Sequence, residues 1–196
     1  MQQTSKYQFN LVESGDAFSP APLNDNMEKV EAALENAEAA QTMCKLASYY
    51  AQTETVNAVL SLSSVDMSQF AYLELWVGGV TATAGSLYLQ FNGDSSSKYV
   101  ASGSSGTSPL TQFTLLSLNT SSSPTAAVLK IMDEARGRIH FSATIQSYQT
   151  MNMGTGYSTC YGMYTGCGLA GLSSVRVYGS QALNAGIEFV LYGIKK

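Results

Sequence analysis

The side chains that could do acid–base or nucleophilic chemistry are few in this chain. His140 is the only histidine among 196 residues, and it lies in a run with strand periodicity, on the side opposite Phe141. A serine or cysteine nucleophile would depend on that one imidazole ring as its base. The acidic residues are concentrated in a helical stretch and in turns such as Asp133-Glu134, which is typical of solvated charges rather than of a paired-carboxylate site. The sequence therefore predicts no catalytic residues and a protein that is not an enzyme.

Sites for metals, cofactors and nucleic acids also lack support. Cys44, Cys160 and Cys167 form no zinc-like pair, and Asn92-Gly93-Asp94 lacks the spaced acidic residues of a calcium loop. The ten Lys and Arg residues are scattered and the net charge is -4, so no basic stripe could neutralise a nucleic-acid backbone. We expect no metal, no cofactor and no nucleic-acid partner. We also expect reduced thiols, with a bridge between Cys160 and Cys167 as the alternative.

Tyrosine is the residue type that most clearly indicates binding. Residues 148–172 are rich in glycine, methionine and tyrosine, and we predict a loop there. Tyrosine rings offer a flat apolar face and a hydroxyl group at low entropic cost, which suits stacking on sugars or docking on proteins. The candidate binding residues are Tyr148, Tyr157, Tyr161 and Tyr164. In the alternative, these rings pack between protomers or cover one end of the domain. The single tryptophan, Trp76, is predicted to be a core or interface residue.

Strands must position these side chains. Apolar and polar residues alternate in many short segments, as Leu87, Leu89 and Phe91 do. The predicted strands are 56–62, 72–77, 87–91, 113–118, 126–132, 139–145, 175–178 and 187–192. The Asn-Gly pair at 92–93 predicts a hairpin that pairs 87–91 with 99–100, and the polar run 133–138 predicts a second hairpin. Short strands without intervening helices predict a mainly β fold, an antiparallel β-sandwich of jelly-roll type.

One helical stretch precedes the strands. Asn24-Asp25-Asn26 supplies candidate N-cap residues, while the prolines before it are expected to exclude a helix until Leu23. Near-heptad spacing over about two and a half heptads indicates a self-associating helical neck over residues 23–47. The seam consists of Met27, Val30, Leu34, Ala37, Gln41 and Cys44. The alternative is an amphipathic helix packed on its own domain.

The segments on either side of this neck complete the organisation. Residues 1–22 read as an irregular arm, in which Tyr7, Phe9 and Leu11 alternate briefly; the arm is either a strand of the β domain or an attachment segment for another protein. Residues 48–196 form the predicted β-sandwich domain. The polar N-terminus and the lack of a long apolar run predict synthesis in the cytoplasm without a signal peptide or membrane insertion. Only 12% of residues are charged, which favours neutral polymers and self-association as partners.

Three stretches of the chain carry a resemblance. They are 89–94 followed by Tyr99, the ending formed by 175–178 and 185–194, and the start of the neck at 23–30. The first is similar to a segment in which a strand with Phe-Asn-Gly-Asp is followed by a short turn and a Tyr. The second is similar to a closing segment in which Ala-Gly precedes a strand that is followed by Tyr-Gly. The third is similar to the virion-proximal start of a chain. All three occur in phage virion proteins of the tail-fibre, receptor-binding and head-fibre type. The resemblance implies a homotrimer with a short helical neck, located in the virion.

The leading hypothesis is a non-enzymatic virion structural protein, a trimeric fibre or knob that contacts a host glycan or protein. The tyrosines at 148, 157, 161 and 164 would bind the receptor. Met27, Val30, Leu34, Ala37 and Gln41 would form the trimer neck, and Tyr7, Phe9 and Leu11 would attach the arm to another virion protein. A capsid decoration or head-fibre protein without a primary adsorption role is the alternative, because the helix is far shorter than a fibre shaft. An envelope-polysaccharide depolymerase is weaker, since the chain lacks a β-helix repeat and an evident acid/base pair.

Overall fold

The computed structural model describes Phe9 and residues 20–39, 42–80, 85–101, 110–118, 125–134, 136–148 and 155–196. The chain divides into two compact units, Met1–Thr42 and Met43–Lys196. The described part of the first unit contains the helix α1 (Pro20–Ala39), and the described part of the second unit contains eleven strands. The strands are β1 (Met43–Tyr50), β2 (Thr55–Ser61), β3 (Phe70–Val80), β4 (Gly85–Phe91), β5 (Tyr99–Ala101), β6 (Phe113–Leu118), β7 (Thr125–Glu134), β8 (Arg138–Tyr148), β9 (Thr155–Tyr164), β10 (Ser174–Leu183) and β11 (Glu188–Lys195).

Eight of these strands form a jelly roll. Within the set β1, β2, β3, β4, β6, β7, β10 and β11, the first strand pairs with the last, the second with the seventh, the third with the sixth and the fourth with the fifth. One long antiparallel hairpin rolled into two sheets gives this pattern. β11 also pairs with β3, and β10 with β4, so the two sheets are β1-β11-β3-β7 and β2-β10-β4-β6. The predicted antiparallel β-sandwich of jelly-roll type is confirmed.

Each of the eight predicted strands overlaps an observed one, and β1 was missed. In β1 the register with β11 shifts between Lys45 and Ala47. A bulge of this kind breaks the period of two, so the segment shows no clean alternation in the sequence. The same pairing corrects the boundary of the neck, because Cys44 and the rest of 43–47 belong to a strand.

Three further strands widen the first sheet beyond β7 to seven strands, in the order β7-β8-β9-β5. The hairpin predicted at 133–138 is confirmed as the β7–β8 connection, where Gly137 has a positive φ of 69°. β9 occupies much of the predicted loop 148–172, so that prediction is wrong over this range. Its residues lack apolar alternation, and pairing with β8 along its whole length makes it a strand.

The hairpin predicted between 87–91 and 99–100 is wrong. The turn itself forms, with positive φ values of 55° at Asn92 and 64° at Gly93. After it, the chain leaves the four-stranded sheet, and Tyr99 pairs with Tyr164 of β9 in the seven-stranded sheet. Phe91 and Tyr99 then stack across the core with ring centroids 6.3 Å apart. The turn therefore joins the two sheets instead of two neighbouring strands.

The core lies between the inward faces of the two sheets. Leu87, Leu89 and Phe91 are fully buried, as their alternation predicts. An aromatic group bridges the sheets, since the Phe141 ring lies 5.6 Å from Phe91 and 4.5 Å from Phe113. Each side chain of this size stabilises the fold by about 1.5 to 3 kcal/mol when it is fully buried. The core thus fixes which side of every strand faces outward.

α1 begins at Pro20, earlier than predicted, because proline is tolerated in the first turn of a helix. Met27, Val30 and Leu34 of the seam are exposed. Gln41, Tyr7, Leu11 and the side chain of Ala37 lie outside the described residues, and Phe9 is partly buried. In the part of the chain that the structure describes, no helix is both long enough and apolar enough to cross a membrane.

Candidate functional site

Tyr164, one of the four tyrosines predicted to bind a receptor, lies in the core. Its side chain is only 2% exposed, and its ring centroid is 4.8 Å from that of Tyr99 and 5.4 Å from that of Phe91. Its hydroxyl donates a hydrogen bond to the Asp94 carboxylate at 2.7 Å. This corrects the placement of Tyr164 on a surface loop, because a side chain enclosed in this way cannot reach a receptor.

Among the described side chains of the set, Tyr161 lies on the surface. Its side chain is 57% exposed, and it pairs with Ser142 on the outer face of the seven-stranded sheet. An open groove of about 300 Å³ lies there, lined by residues of β5, β7, β8 and β9. Its lining consists of Val100, Ala101, Met132, His140, Phe141, Ser142, Tyr161, Gly162 and Met163. The sheet thus provides a mainly apolar groove with one aromatic ring on its wall.

His140 lies on the outer face of the same sheet, opposite to buried Phe141, as its position in the strand predicts. Its Nε2 lies 3.2 Å from a carboxylate oxygen of Glu134, and it is the Cα partner of Met163 across the β8–β9 pair. The Arg138 guanidinium lies 4.0 Å from the Met163 sulfur. Polar groups therefore lie beside an apolar groove. Such groups can orient a bound ligand through a few hydrogen bonds.

Tyr148 and Tyr157 lie near the far ends of the same two strands. Tyr148 is the last residue of β8 and pairs with Thr155, and Tyr157 pairs with Gln146. The side chains of both tyrosines lie outside the described residues. Two of the four predicted tyrosines therefore have described side chains: Tyr161 lies on the surface and Tyr164 lies in the core.

No family model, curated protein or solved structure matches this chain. What the groove at Tyr161 does must therefore be inferred from its own chemistry. An apolar floor beside a tyrosine ring suits a sugar ring or a small apolar side chain of another protein. The jelly roll itself indicates no particular activity, because the same architecture carries many functions.

A second outward-facing groove surrounds Trp76, which the sequence placed in the core or at an interface. The core placement is wrong, since Trp76 is 46% exposed. Its ring centroid lies 5.4 Å from that of Tyr192, and its Nε1 donates to the Glu74 carboxylate at 3.1 Å. The groove has a volume of about 330 Å³ and includes Val128 and Val190 in its lining. The alternation with buried Leu75 and Val77 was the signal that could have placed Trp76 outside.

Cys160 and Cys167 each form a hydrogen bond within the protein. Cys160 donates to the Leu115 carbonyl at 3.3 Å, and the Asn92 side-chain amide donates to the Cys167 sulfur at 3.6 Å. Cys160 and Cys167 are not bridged, and burial raises the pKa of both thiols. Among the described residues, no group of three or more His, Cys, Asp or Glu side chains could hold a metal ion.

Proposed function

We propose that this protein is a non-enzymatic phage virion protein, displayed as a trimer, that contacts the host cell surface. The observation that carries the proposal is the exposed apolar row of α1, Met27, Val30 and Leu34, immediately before a complete jelly roll in the chain. An exposed row with near-heptad spacing is typical of a helix that associates with copies of itself. A trimer would bury this row.

Two of the three stretches that resemble phage virion proteins lie in the sheets, and the third, 23–30, lies in α1. Residues 89–94 end β4 and form the positive-φ turn at Asn92 and Gly93. Residues 175–178 and most of 185–194 lie in β10 and β11, which have a strand on each side in their sheets. These two segments support the proposal through their role in building the fold. They do not indicate a host contact, which is inferred from the surface of the domain.

The Tyr161 groove is the proposed contact surface. An exposed ring beside an apolar groove of about 300 Å³ suits a glycan ring or a protein side chain on the host. Single contacts of this size are weak. Three copies on each trimer and many trimers on each particle would convert them into durable adsorption through a high effective concentration.

The proposal is tested with purified full-length protein added to host cells before the phage. We expect it to block adsorption, and we expect Tyr161→Ala to need about tenfold more protein, since about 1.4 kcal/mol per contact corresponds to that factor. Tyr50→Ala is the matched control, because Tyr50 is similarly exposed on β1 of the same sheet. Failure of the wild-type protein to bind or block, while folded by circular dichroism, would reject the adsorption role.

A capsid decoration or head-fibre protein is the second candidate. The helix has 20 residues, which gives it a length of about 30 Å. That length suits a compact knob better than a fibre shaft. In this candidate the arm with Tyr7, Phe9 and Leu11 holds the protein on the capsid, and adsorption is not its primary role. Antibody labelling on phage heads would favour it, and labelling on tails would favour the first proposal.

A further inference from the structure

We propose that the outer face of the four-stranded sheet is a second binding site, selective for a sugar ring that carries a carboxylate. The site is centred on Arg176, near the start of β10. It goes beyond the proposed host contact, because it lies on the other sheet and does not require a trimer or a virion.

Arg176 is held in place by neutral neighbours. Its Nε donates to the Asn57 side-chain oxygen at 2.7 Å, and its Nη1 donates to the Gln90 side-chain oxygen at 3.1 Å. The guanidinium carbon lies 4.5 Å from the centroid of the Tyr178 ring. A guanidinium has five N–H donors, so three remain after these two bonds. The guanidinium is therefore fixed in position and has N–H donors available for a ligand.

No described carboxylate forms an ion pair with Arg176. The side chain is half-buried, and a partly desolvated charge without a counter-charge attracts an anion more strongly than a fully solvated one. Arginine matches the geometry of a carboxylate because two parallel N–H groups can bind both oxygens. The chemistry at this point of the sheet thus favours a carboxylate ligand.

Gln90 makes this arrangement rigid. It is the buried polar side chain among the described residues, at 3% exposure. Its side-chain nitrogen donates to the Thr111 carbonyl at 3.2 Å while its oxygen accepts from Arg176. A long side chain with both ends bonded loses its freedom on folding rather than on binding. This prior ordering lowers the entropic cost of holding a ligand.

Two tyrosine rings lie beside the cation. Tyr88 and Tyr178 are cross-strand partners, their ring centroids are 5.3 Å apart, and both side chains are half-buried. The Tyr178 hydroxyl donates to the Gln112 side-chain oxygen. Aromatic faces next to amides suit a pyranose ring and its hydroxyl groups. A dense polyanion such as nucleic acid fits poorly, because the chain has a net charge of -4 and this site offers one cation.

The test measures binding of acidic oligosaccharides to the full-length protein by saturation-transfer NMR and calorimetric titration. The probes are trigalacturonic acid, a glucuronate disaccharide and sialyllactose, each compared with a neutral counterpart: the methyl esters of the first two, and lactose. We expect at least one acidic probe to bind at about millimolar concentration, and its neutral counterpart to bind about tenfold more weakly or not at all. Equal binding of both forms, or no binding of any acidic probe, would overturn the proposal without any variant.

Variants then locate the site. Arg176→Gln keeps a polar side chain and removes the charge, and we expect it to weaken binding of the acidic probe about tenfold. Arg136→Gln is the control, because Arg136 is an exposed arginine in the β7–β8 turn. If both variants lose binding equally, the acidic probe is attracted by the general charge of the protein, and the proposed site at Arg176 is rejected. Should Arg176→Gln fail to fold, Tyr88→Leu on the same face is expected to weaken binding, and unchanged binding by it would count against the site.

Discussion

Asp94 links the segment between β4 and β5 to β9 by a hydrogen bond and forms an ion pair within that segment. Its carboxylate accepts hydrogen bonds from the Ser96 backbone N–H at 2.8 Å and the Tyr164 hydroxyl at 2.7 Å, and it forms an ion pair with Lys98 at 3.1 Å. The hydrogen bonds from Ser96 and Tyr164 hold the pKa of this carboxyl well below its usual range. Burial and the neighbouring Asp94 raise the pKa of the Tyr164 phenol. The pair therefore stays as a charged acceptor and a neutral donor at neutral pH.

We expect Asp94→Asn to lower the free energy of unfolding by about 1 to 3 kcal/mol at neutral pH, because the buried Tyr164 hydroxyl loses its charged acceptor. The folded-state pKa of Asp94 lies below the ordinary value of 3.8. The stabilisation is therefore fully present above that value and is lost as the pH falls below it toward the folded-state pKa. Urea denaturation of both proteins at pH 7 and pH 3 checks this, with Glu54→Gln as an exposed control. A difference that does not shrink at pH 3 would contradict the ionic origin.

Gly162 gives a second prediction for a single residue. A Cβ atom there would lie 2.7 Å from the Phe141 ring and 2.7 Å from the Val100 carbonyl oxygen. We expect Gly162→Ala to cost about 1 to 3 kcal/mol of stability through this overpacking. Gly78→Ala is the matched control, since its Cβ would meet nothing within 4 Å. Thermal unfolding of the two variants separates them, and equal midpoints would show that β5 can move away from β9 at little cost.

Among the elements, α1 carries an exposed apolar row formed by Met27, Val30 and Leu34. The helix is supported locally by an ion pair between Lys29 and Asp25 at 2.8 Å. Surface pairs of this kind contribute little to stability, about 0.3 to 0.5 kcal/mol. Most of the stability of a helix in a protein comes from the packing of its apolar face rather than from intrinsic helix propensity. Association of the exposed row in a trimer would supply the missing stabilisation.

We expect Leu34→Glu to convert a trimer into a monomer of 20.9 kDa, because a charge in the seam is costly to bury. Ala32→Glu is the control, since Ala32 is exposed and lies two residues away, on the opposite side of the helix. Light scattering coupled to gel filtration at micromolar concentration measures both masses. A monomeric wild-type protein would reject the trimer neck outright.

In the molecule as a whole, the buried hydrophobic core of the described residues lies within the second unit. The core residues that the structure describes fall between Ala51 and Leu191. A jelly roll of this size, with three added strands, can bury enough apolar surface to be stable by itself. We propose separate roles for the two units, in which the sandwich would provide the contact surfaces and the helix would provide association.

We expect a fragment of residues 43–196 to keep its β-type circular dichroism and to unfold at nearly the same urea concentration as the full-length protein. It should lose the trimer, and its ability to block adsorption should fall far more than that of Tyr50→Ala, because multivalent contact is lost. The comparison needs denaturation curves, masses and a blocking assay on the same samples. An unfolded fragment would show that the first unit contributes to the folding of the sandwich.

Features that depend on neighbours along the chain were predictable from local sequence. Alternation set the inward face of strands such as β4, the Asn92-Gly93 pair set a positive-φ turn, and the polar run at 133–138 set the β7–β8 hairpin. Each of these follows from local backbone geometry and from the need to bury one face of a strand. The fold class follows from the same signals, since many short strands without helices have few ways to share one core.

Contacts between segments that are distant in the sequence were not predictable in this way. Tyr99 pairs with Tyr164 rather than with β4, and this makes Tyr164 a core residue, while Tyr161 stays outside. Arg176 gains its neutral neighbours Asn57 and Gln90 from strands far away in sequence. Such contacts are chosen by the packing of two whole sheets against each other, so no local pattern specifies them. For the same reason, both proposed binding surfaces depend on the register of neighbouring strands and could not be predicted from the sequence.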